Sequence, residues 1–176
     1  MKQQRLKICN LLMWVLPIML KAQVITYSFT NAGTVGQNGP TQAQINAAYL
    51  TTNLNGSVTV LTGSLAGIQQ FTIPVTGPYR IVAAGSPAGP GVGLVTYSNG
   101  CRGRIVQGDV FLTAGTVLKI LVGQRGSTAY TSTGGGGGSY VATISNSCLI
   151  VGGGGGGYCS LLSSPTPSSD ANYTSN

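Results

Sequence analysis

Few side chains in this chain could carry out acid–base or metal chemistry. None of the 176 residues is histidine, and the only carboxylates are those of Asp109 and Asp170. Histidine is the commonest general base and metal ligand, and paired carboxylates are a usual alternative. Hard cations need several oxygen ligands, which two acids hardly supply. These counts exclude most familiar enzyme chemistries, so we predict a non-enzymatic protein with no catalytic residue, no metal site and no cofactor.

The glycine-rich motifs do not change this conclusion. The second glycine run, 152–157, follows an apolar segment and satisfies the GxGxxG pattern, as any six glycines would. No helical pattern follows it, and the chain contains neither GK[ST] nor GxSxG. A dinucleotide site, a phosphate-binding loop and a serine nucleophile are therefore rejected.

Residues 1–22 have the layout of a secretory signal peptide. Three basic residues lie within the first seven positions, an apolar run of 13 residues covers 8–20, and the small Ala22 follows. That run is too short to span about 30 Å of hydrocarbon, which disfavours the alternative of an uncleaved anchor. We predict cleavage after Ala22, a secreted or cell-surface location and no stable membrane span.

Removal of this segment lowers the basic charge of the chain. Four of the nine basic residues lie in 1–22, so the formal net charge falls from +7 to +3. Nucleic acid is therefore not predicted as a partner. Arg102, Arg104 and Arg125 lie on glycine-flanked segments and could form a small anion patch, or they are scattered solvated charges.

Three cysteines remain in the mature chain, and an oxidising compartment favours pairing between them. Cys148 and Cys159 flank the second glycine run, and we predict a disulfide between them. Cys101 would then be free or partnered outside the chain. The alternative is that all three are unpaired small apolar residues.

The hydrophobic pattern predicts a mainly β fold. A capping box at Thr41 and Gln44 precedes apolar residues at helical spacing, which indicates one helix over 41–50. The other segments alternate with a period of two, which favours an antiparallel sandwich or barrel. The predicted strands, each bounded by Gly, Pro or Asn, are 25–29, 57–62, 68–73, 79–84, 110–113, 117–122, 139–144 and 148–151.

Glycine is unusually frequent. All 28 glycines lie in the 154 residues that follow the signal segment, about 18% against an average of roughly 7%. Flexible linkers are one explanation, and ordered polyproline-II-like segments packed side by side are another. The residues alone leave both open. The two unbroken runs are Gly134, Gly135, Gly136, Gly137 and Gly138, and then Gly152, Gly153, Gly154, Gly155, Gly156 and Gly157.

One ordered set of motifs is specific. FTIPVTGPYRI at 71–81 precedes GRIVQG at 103–108 and FLTAGTVLKILVGQ at 111–124, and both SYV at 139–141 and LIV at 149–151 adjoin a glycine run. This set resembles the glycine-rich domain of the anaplastic lymphoma kinase and leukocyte tyrosine kinase receptors, which also occurs in secreted bacterial proteins. The similarity covers about 25–158.

The resemblance implies a tumour-necrosis-factor-like jelly roll, an antiparallel β-sandwich with glycine-rich polyproline-II segments beside it, which would make both glycine runs ordered. Family domains usually continue with more glycine-rich sequence, so this chain is a minimal version or a fragment. The expected organisation is a signal peptide (1–22), a glycine-rich domain (23–159) and a polar tail or loop (160–176).

The expected function is recognition or adhesion outside the cell. The partner would be an extracellular protein or a glycan, contacted through polar loops and exposed tyrosines such as Tyr97 and Tyr130. The alternative is a structural component of an envelope or matrix that self-associates through its glycine runs.

Overall fold

The computed structural model describes residues 24–90, 101–128 and 133–157, and these residues form a mainly β fold. The elements are α1 (Gln42–Tyr49), β1 (Val58–Val60), a 3₁₀ turn (Gly63–Leu65), β2 (Gln69–Thr72), β3 (Gly77–Ala84), β4 (Ile105–Leu112), β5 (Val117–Leu121), β6 (Ser139–Thr143) and β7 (Cys148–Gly152). A five-stranded antiparallel sheet has the order β1–β2–β5–β6–β7, and a two-stranded antiparallel sheet pairs β3 with β4. The mainly β prediction with one short α-helix is confirmed, and the jelly-roll topology stays a prediction.

Helix α1 begins at the predicted capping box. The amide of Gln44 donates to the Thr41 hydroxyl, and the amide of Thr41 donates to the Gln44 side chain at 2.8 Å. Ile45 and Tyr49 are the buried residues of the helix. Gln42 bonds the outer edge of β1, accepting from the amide of Val60 at 2.7 Å. The helix therefore covers an edge that would otherwise be open to pairing with another chain.

The inner face of the five-stranded sheet carries the core. Phe71, Leu118, Ile120, Val141 and Ile150 are each at most 9% exposed. Helix α1 contacts this sheet at its first strand, β1. The β3–β4 pair contacts the sheet near its last strands, β6 and β7. The core therefore lies between one sheet and a mixed layer of helix and two-stranded sheet.

The predicted strand at 25–29 is wrong. This segment forms no ladder, and its rings pack on the core, with Tyr27 4.8 Å and Phe29 5.4 Å from Phe71 between ring centroids. The next residue, Thr30, bonds side chains rather than a strand, since its amide donates to the Tyr49 hydroxyl at 2.8 Å. Alternation of apolar residues here reflects ring packing and not sheet pairing.

Strand β4 is longer than its predicted range, 110–113. Gly and Asp are depleted in strands, yet β4 includes Gly108 and Asp109 and pairs with β3 over eight residues, from Gly77 opposite Leu112 to Ala84 opposite Ile105. The long partner strand keeps both residues extended. Tyr79, Ile81 and Ala83 share the core-facing side of β3.

Residues 1–23 and 158–176 lie outside the described part, so the signal peptide and the polar tail stay predictions. Within the described ranges, no helix combines the length and the apolar character that a membrane crossing requires.

Candidate functional site

Five extended, mostly glycine-rich segments gather at one end of the fold. They comprise residues 85–90, 101–104, 122–128, 133–138 and 153–157, and we call them the glycine bundle. Segments follow β3, β5 and β7, and segments precede β4 and β6. Because neighbouring strands are antiparallel, the ends of β3, β5 and β7 and the starts of β4 and β6 lie at the same end of the sheets.

Segment 85–90 is the centre of the bundle. The amide of Ser86 donates to Gly137 and that of Ala88 to Cys101, at 2.9 and 2.8 Å. The carbonyl of Ser86 accepts from Gly155 at 3.0 Å, and that of Pro87 accepts from Gly126 at 3.2 Å. The central segment thus bonds all four others, and Ala88 is 0% exposed.

Both glycine runs take part in this hydrogen bonding. Gly136 donates to Gly155 at 2.8 Å, and Gly137 donates to Gln124 at 2.8 Å. The runs therefore pack against each other and against neighbouring segments, and do not act as free linkers in the described part. The polyproline-II geometry predicted for them stays a prediction.

Side chains would not fit between these backbones. A Cβ atom on Gly85, Gly89 or Gly126 would overlap the carbonyl oxygen of the facing segment. Only glycine permits such close approach. Segments 85–90, 101–104 and 122–128 were not predicted as bundle members, because their glycines are isolated. The available signal was a glycine immediately after, or within a few residues of, a strand end.

The Ser139 side chain connects the bundle to the strand ends of both sheets. Its buried hydroxyl donates to the carbonyl of Ala84 at 2.7 Å and accepts from the amide of Gly123 at 3.0 Å. One side chain thus joins the ends of β3 and β5 to the start of β6. The bundle is positioned firmly against the five-stranded sheet.

A groove lies on the outer face of the five-stranded sheet, between the turn that joins β6 to β7 and the ends of β5 and β6 that adjoin the bundle. Its volume is about 330 Å³, and we call it the outer-face groove. The sheet register places Lys119 opposite Ala142 and Leu121 opposite Tyr140, so these four side chains share one face. Its lining is Leu65, Ile68, Lys119, Leu121, Tyr140, Ala142 and Asn146.

The lining of the groove is apolar apart from the Lys119 ammonium, the Asn146 amide and the Tyr140 hydroxyl. Leu65 and Tyr140 are 45% and 43% exposed. The Lys119 ammonium donates to the side-chain oxygen of Asn146. In the described ranges Lys119 forms no ion pair. An apolar wall beside an ammonium suits a ligand that carries an apolar group next to an anion.

The outer face of the β3–β4 pair carries an ion pair among apolar side chains. Arg80 binds Asp109 through two bonds, Nε to Oδ1 at 2.8 Å and Nη2 to Oδ2 at 2.9 Å. Val82, Ile105 and Phe111 on the same sheet are 57–69% exposed. The hydrogen bond from Arg80 lowers the pKa of Asp109, and the bond to Asp109 raises the pKa of Arg80. Asp109 is therefore held as a carboxylate and not poised to exchange protons.

We expect the Asp109 carboxyl to titrate with a pKa below the ordinary aspartate value. Because its pKa is lower in the folded state, the pair contributes stability above the pKa of unfolded aspartate. That contribution is lost as the pH falls through the folded value. The effect on stability is small, because both side chains are more than three-fifths exposed. Carbon-detected NMR titration measures the shift, and Arg80→Gln should return Asp109 to the ordinary range. An ordinary pKa in the unmodified protein would contradict the bidentate pair.

The three arginines of the predicted anion patch lie on bundle segments. Arg102 and Arg104 are on segment 101–104, and Arg125 is on segment 122–128. Their side chains are exposed, and Arg125 Nε donates to the carbonyl of Ala88 at 3.4 Å. A shared anion site on these residues stays a hypothesis.

Of the two cysteines in the predicted disulfide, the structure describes only Cys148. Cys148 is exposed at the start of β7, and Cys159 lies outside the described residues. The two tyrosines predicted to contact a partner, Tyr97 and Tyr130, also lie outside them. The backbone carbonyl of Cys101 lies against Gly155. Gly155 precedes Cys159 by four residues in the sequence. The Cys148–Cys159 pair stays a prediction, and non-reducing peptide mapping would distinguish it from a Cys101–Cys159 pair.

Comparison with known proteins finds a similarity to part of a receptor. No protein-family model matches the chain. The leukocyte tyrosine kinase receptor of mouse is 37% identical over 102 residues, which are 57% of this chain and 11% of the receptor. The similarity is to a segment of a receptor. The match supports one part of the resemblance drawn from the motifs, namely the relation to a segment of a receptor of this type.

The extent of the match limits what is transferred. The chain spans about one-ninth of the receptor's length, so the receptor's kinase activity, ligands and partners are not assigned to it. The match does not contradict the prediction of a non-enzymatic protein. It supports an extracellular or cell-surface origin for this kind of domain.

Proposed function

We propose that this chain is a non-catalytic recognition or adhesion module of an exported protein, either secreted or held at a cell surface, which binds an extracellular protein or a glycan. The similarity to a receptor segment carries this proposal. The scarcity of catalytic side chains supports it, since Asp109 is tied to Arg80 and histidine is lacking in the sequence.

The architecture supports binding at the side of the bundle. The hydrogen bonds between glycine segments hold that end of the molecule rigid, and rigid surfaces lose little entropy on binding. One end of the outer-face groove, formed by Leu121 and Tyr140, adjoins the bundle, and Leu65 and Tyr140 are exposed along the groove. Because its lining is largely aliphatic, we favour a protein over a glycan as the partner.

Arrays of extracellular proteins and glycans test this proposal. The protein would be exported from cells that express the full chain, so that any leader is removed naturally. We expect at least one saturable interaction, lost in the variant Leu65→Ser with Tyr140→Ser. Val75→Ser is the matched control, because Val75 is equally apolar and 64% exposed but does not line the groove. No interaction by correctly folded protein would contradict the proposal.

The structural alternative has its own supporting observation. The second sheet contains only β3 and β4, so each strand has one edge without a strand partner in the described part. Exposed Val82, Ile105 and Phe111 lie along this pair. Long open edges with apolar side chains favour association with other chains.

For this alternative, sedimentation velocity should show oligomers that increase with concentration. Val82→Lys with Ile105→Lys should abolish them, since charge on an edge opposes pairing. The control is Val75→Lys, outside β3 and β4. A monomer at every concentration would leave recognition as the only function of the two.

A further inference from the structure

We propose that the outer-face groove binds a segment of a protein partner in which a large apolar side chain directly precedes an aspartate or glutamate. This rests on the proposed recognition function and names the chemistry of its partner. The binding residues are Leu65, Ile68, Leu121 and Tyr140 for the apolar side chain, and Lys119 for the carboxylate.

The size and lining of the groove fit one apolar side chain. Its volume of about 330 Å³ lies at the small end of ligand pockets. Ile68 and Leu121 are half-buried, whereas Leu65 and Tyr140 are exposed at the rim. Covering these side chains with an apolar group removes hydrocarbon from water, which stabilises a complex. A leucine or phenylalanine side chain is of suitable size.

Charge selects an acidic neighbour for that side chain. Lys119 carries three N–H donors, and the bond to Asn146 uses one of them. The carboxylate found in the described ranges, that of Asp109, is engaged by Arg80 on the other sheet. The positive net charge of the chain also favours an acidic partner. Lys119 has no charged partner among the described residues, so its ammonium is available to pair with an incoming carboxylate.

The cation is positioned before any partner arrives. Asn146 has a positive φ of 67° in the turn between β6 and β7. The turn is closed by bonds from Asn146 to the carbonyl of Thr143 and from Thr143 to that of Ser147, at 3.0 and 2.9 Å. Asparagine tolerates this conformation. The turn therefore fixes the amide that holds the ammonium at the groove, which lowers the cost of ordering Lys119 on binding.

Isothermal titration with acetylated hexapeptides tests the proposal. The probes place Leu, Phe or Trp before Asp or Glu, and each has a twin with Asn or Gln in place of the acid. We expect saturable binding of at least one acidic probe, at least tenfold weaker binding of its neutral twin, and NMR shifts at the methyl groups of Ile68 and Leu121.

Variants separate the groove from general charge. Lys119→Met should weaken binding of the acidic probe at least tenfold, and Ala142→Leu should do the same by filling the groove. Arg80→Met removes the same charge from the β3–β4 sheet, outside the groove and outside the arginine patch, and should change affinity less than twofold. Asn146→Gly keeps the turn but removes the amide, and it should weaken the acidic probe more than its neutral twin.

The outcomes distinguish this inference from the function on which it rests. Acidic probes that do not bind, that bind as weakly as their neutral twins, or that bind Lys119→Met equally would overturn the groove assignment. An array partner unaffected by Lys119→Met and Ala142→Leu would also overturn it while leaving the recognition function intact. A glycan partner that competes with no peptide would do the same. Failure of every array would overturn the recognition function itself.

Discussion

Gly136→Ala will unfold the glycine bundle, whereas Gly135→Ala, one position earlier, will leave it folded. A Cβ on residue 136 would overlap the carbonyl oxygen of Ser86 and lie 2.6 Å from that of Pro87. Both neighbours are backbone atoms of the central segment and cannot rotate away. A Cβ on residue 135 would meet the oxygen of Gly155 at 3.2 Å, which a small shift relieves.

The expected loss for Gly136→Ala is about 3 kcal/mol or more in the free energy of unfolding, as for severe overpacking of a core. Such a loss is a large part of the stability of an ordinary domain. Denaturant unfolding followed by circular dichroism measures it. Gly77→Ala is the matched control, because nothing lies within 4 Å of its Cβ and its φ is not positive. Equal stability of the Gly136 and Gly77 variants would mean that the glycine runs behave as linkers.

Gln69→Leu should destabilise the protein by about 2–3 kcal/mol, because it leaves buried polar groups without partners. Gln69 is 0% exposed on the inner face of β2. Its side chain accepts from the Tyr49 hydroxyl at 2.8 Å and donates to the carbonyl of Thr30 at 2.8 Å. This network joins α1, β2 and the segment that precedes α1.

Thermal and denaturant unfolding of a double-mutant cycle test this network. Gln70→Leu is the control, since Gln70 is the next residue of β2 and faces outward; its effect should be close to zero. Tyr49→Phe should also destabilise, and the double variant should lose less than the sum of the single losses, because both changes remove the same bond. Additive losses, or a neutral Gln69→Leu, would show that the network does not stabilise the fold.

The strands were predictable because their signal is local. Alternation of apolar residues requires only neighbouring positions, and it located six of the seven described strands within two residues at each end, as for β5 predicted at 117–122 and found at Val117–Leu121. Strand β4 is the exception, since it begins five residues before its predicted start. The helix was predictable for the same reason, since its capping box lies within four residues. The error at 25–29 shows the limit of this signal. Rings that pack on a core alternate as a strand does, and only the absence of a ladder distinguishes them.

The outer-face groove was not predictable in the same way. The alternation in β5 did place Lys119 on the side opposite Leu118 and Ile120, away from the core. Its neighbours in the groove come from β6, from the turn after β6 and from the 3₁₀ turn before β2. Which of these residues face one another depends on strand order and register, and a shift of one residue would reverse every side chain.

The sequence by itself determined the scarcity of side chains suited to acid–base and metal chemistry, the antiparallel character of the strands, the helix and the presence of two unusual glycine runs. Only the tertiary structure decided that these runs are packed against each other and that segment 85–90 lies at their centre. The reason is physical. Hydrogen bonds between glycine backbones involve no side chain, so no residue type marks the partner, and the bonds join segments as far apart as Ser86 and Gly155.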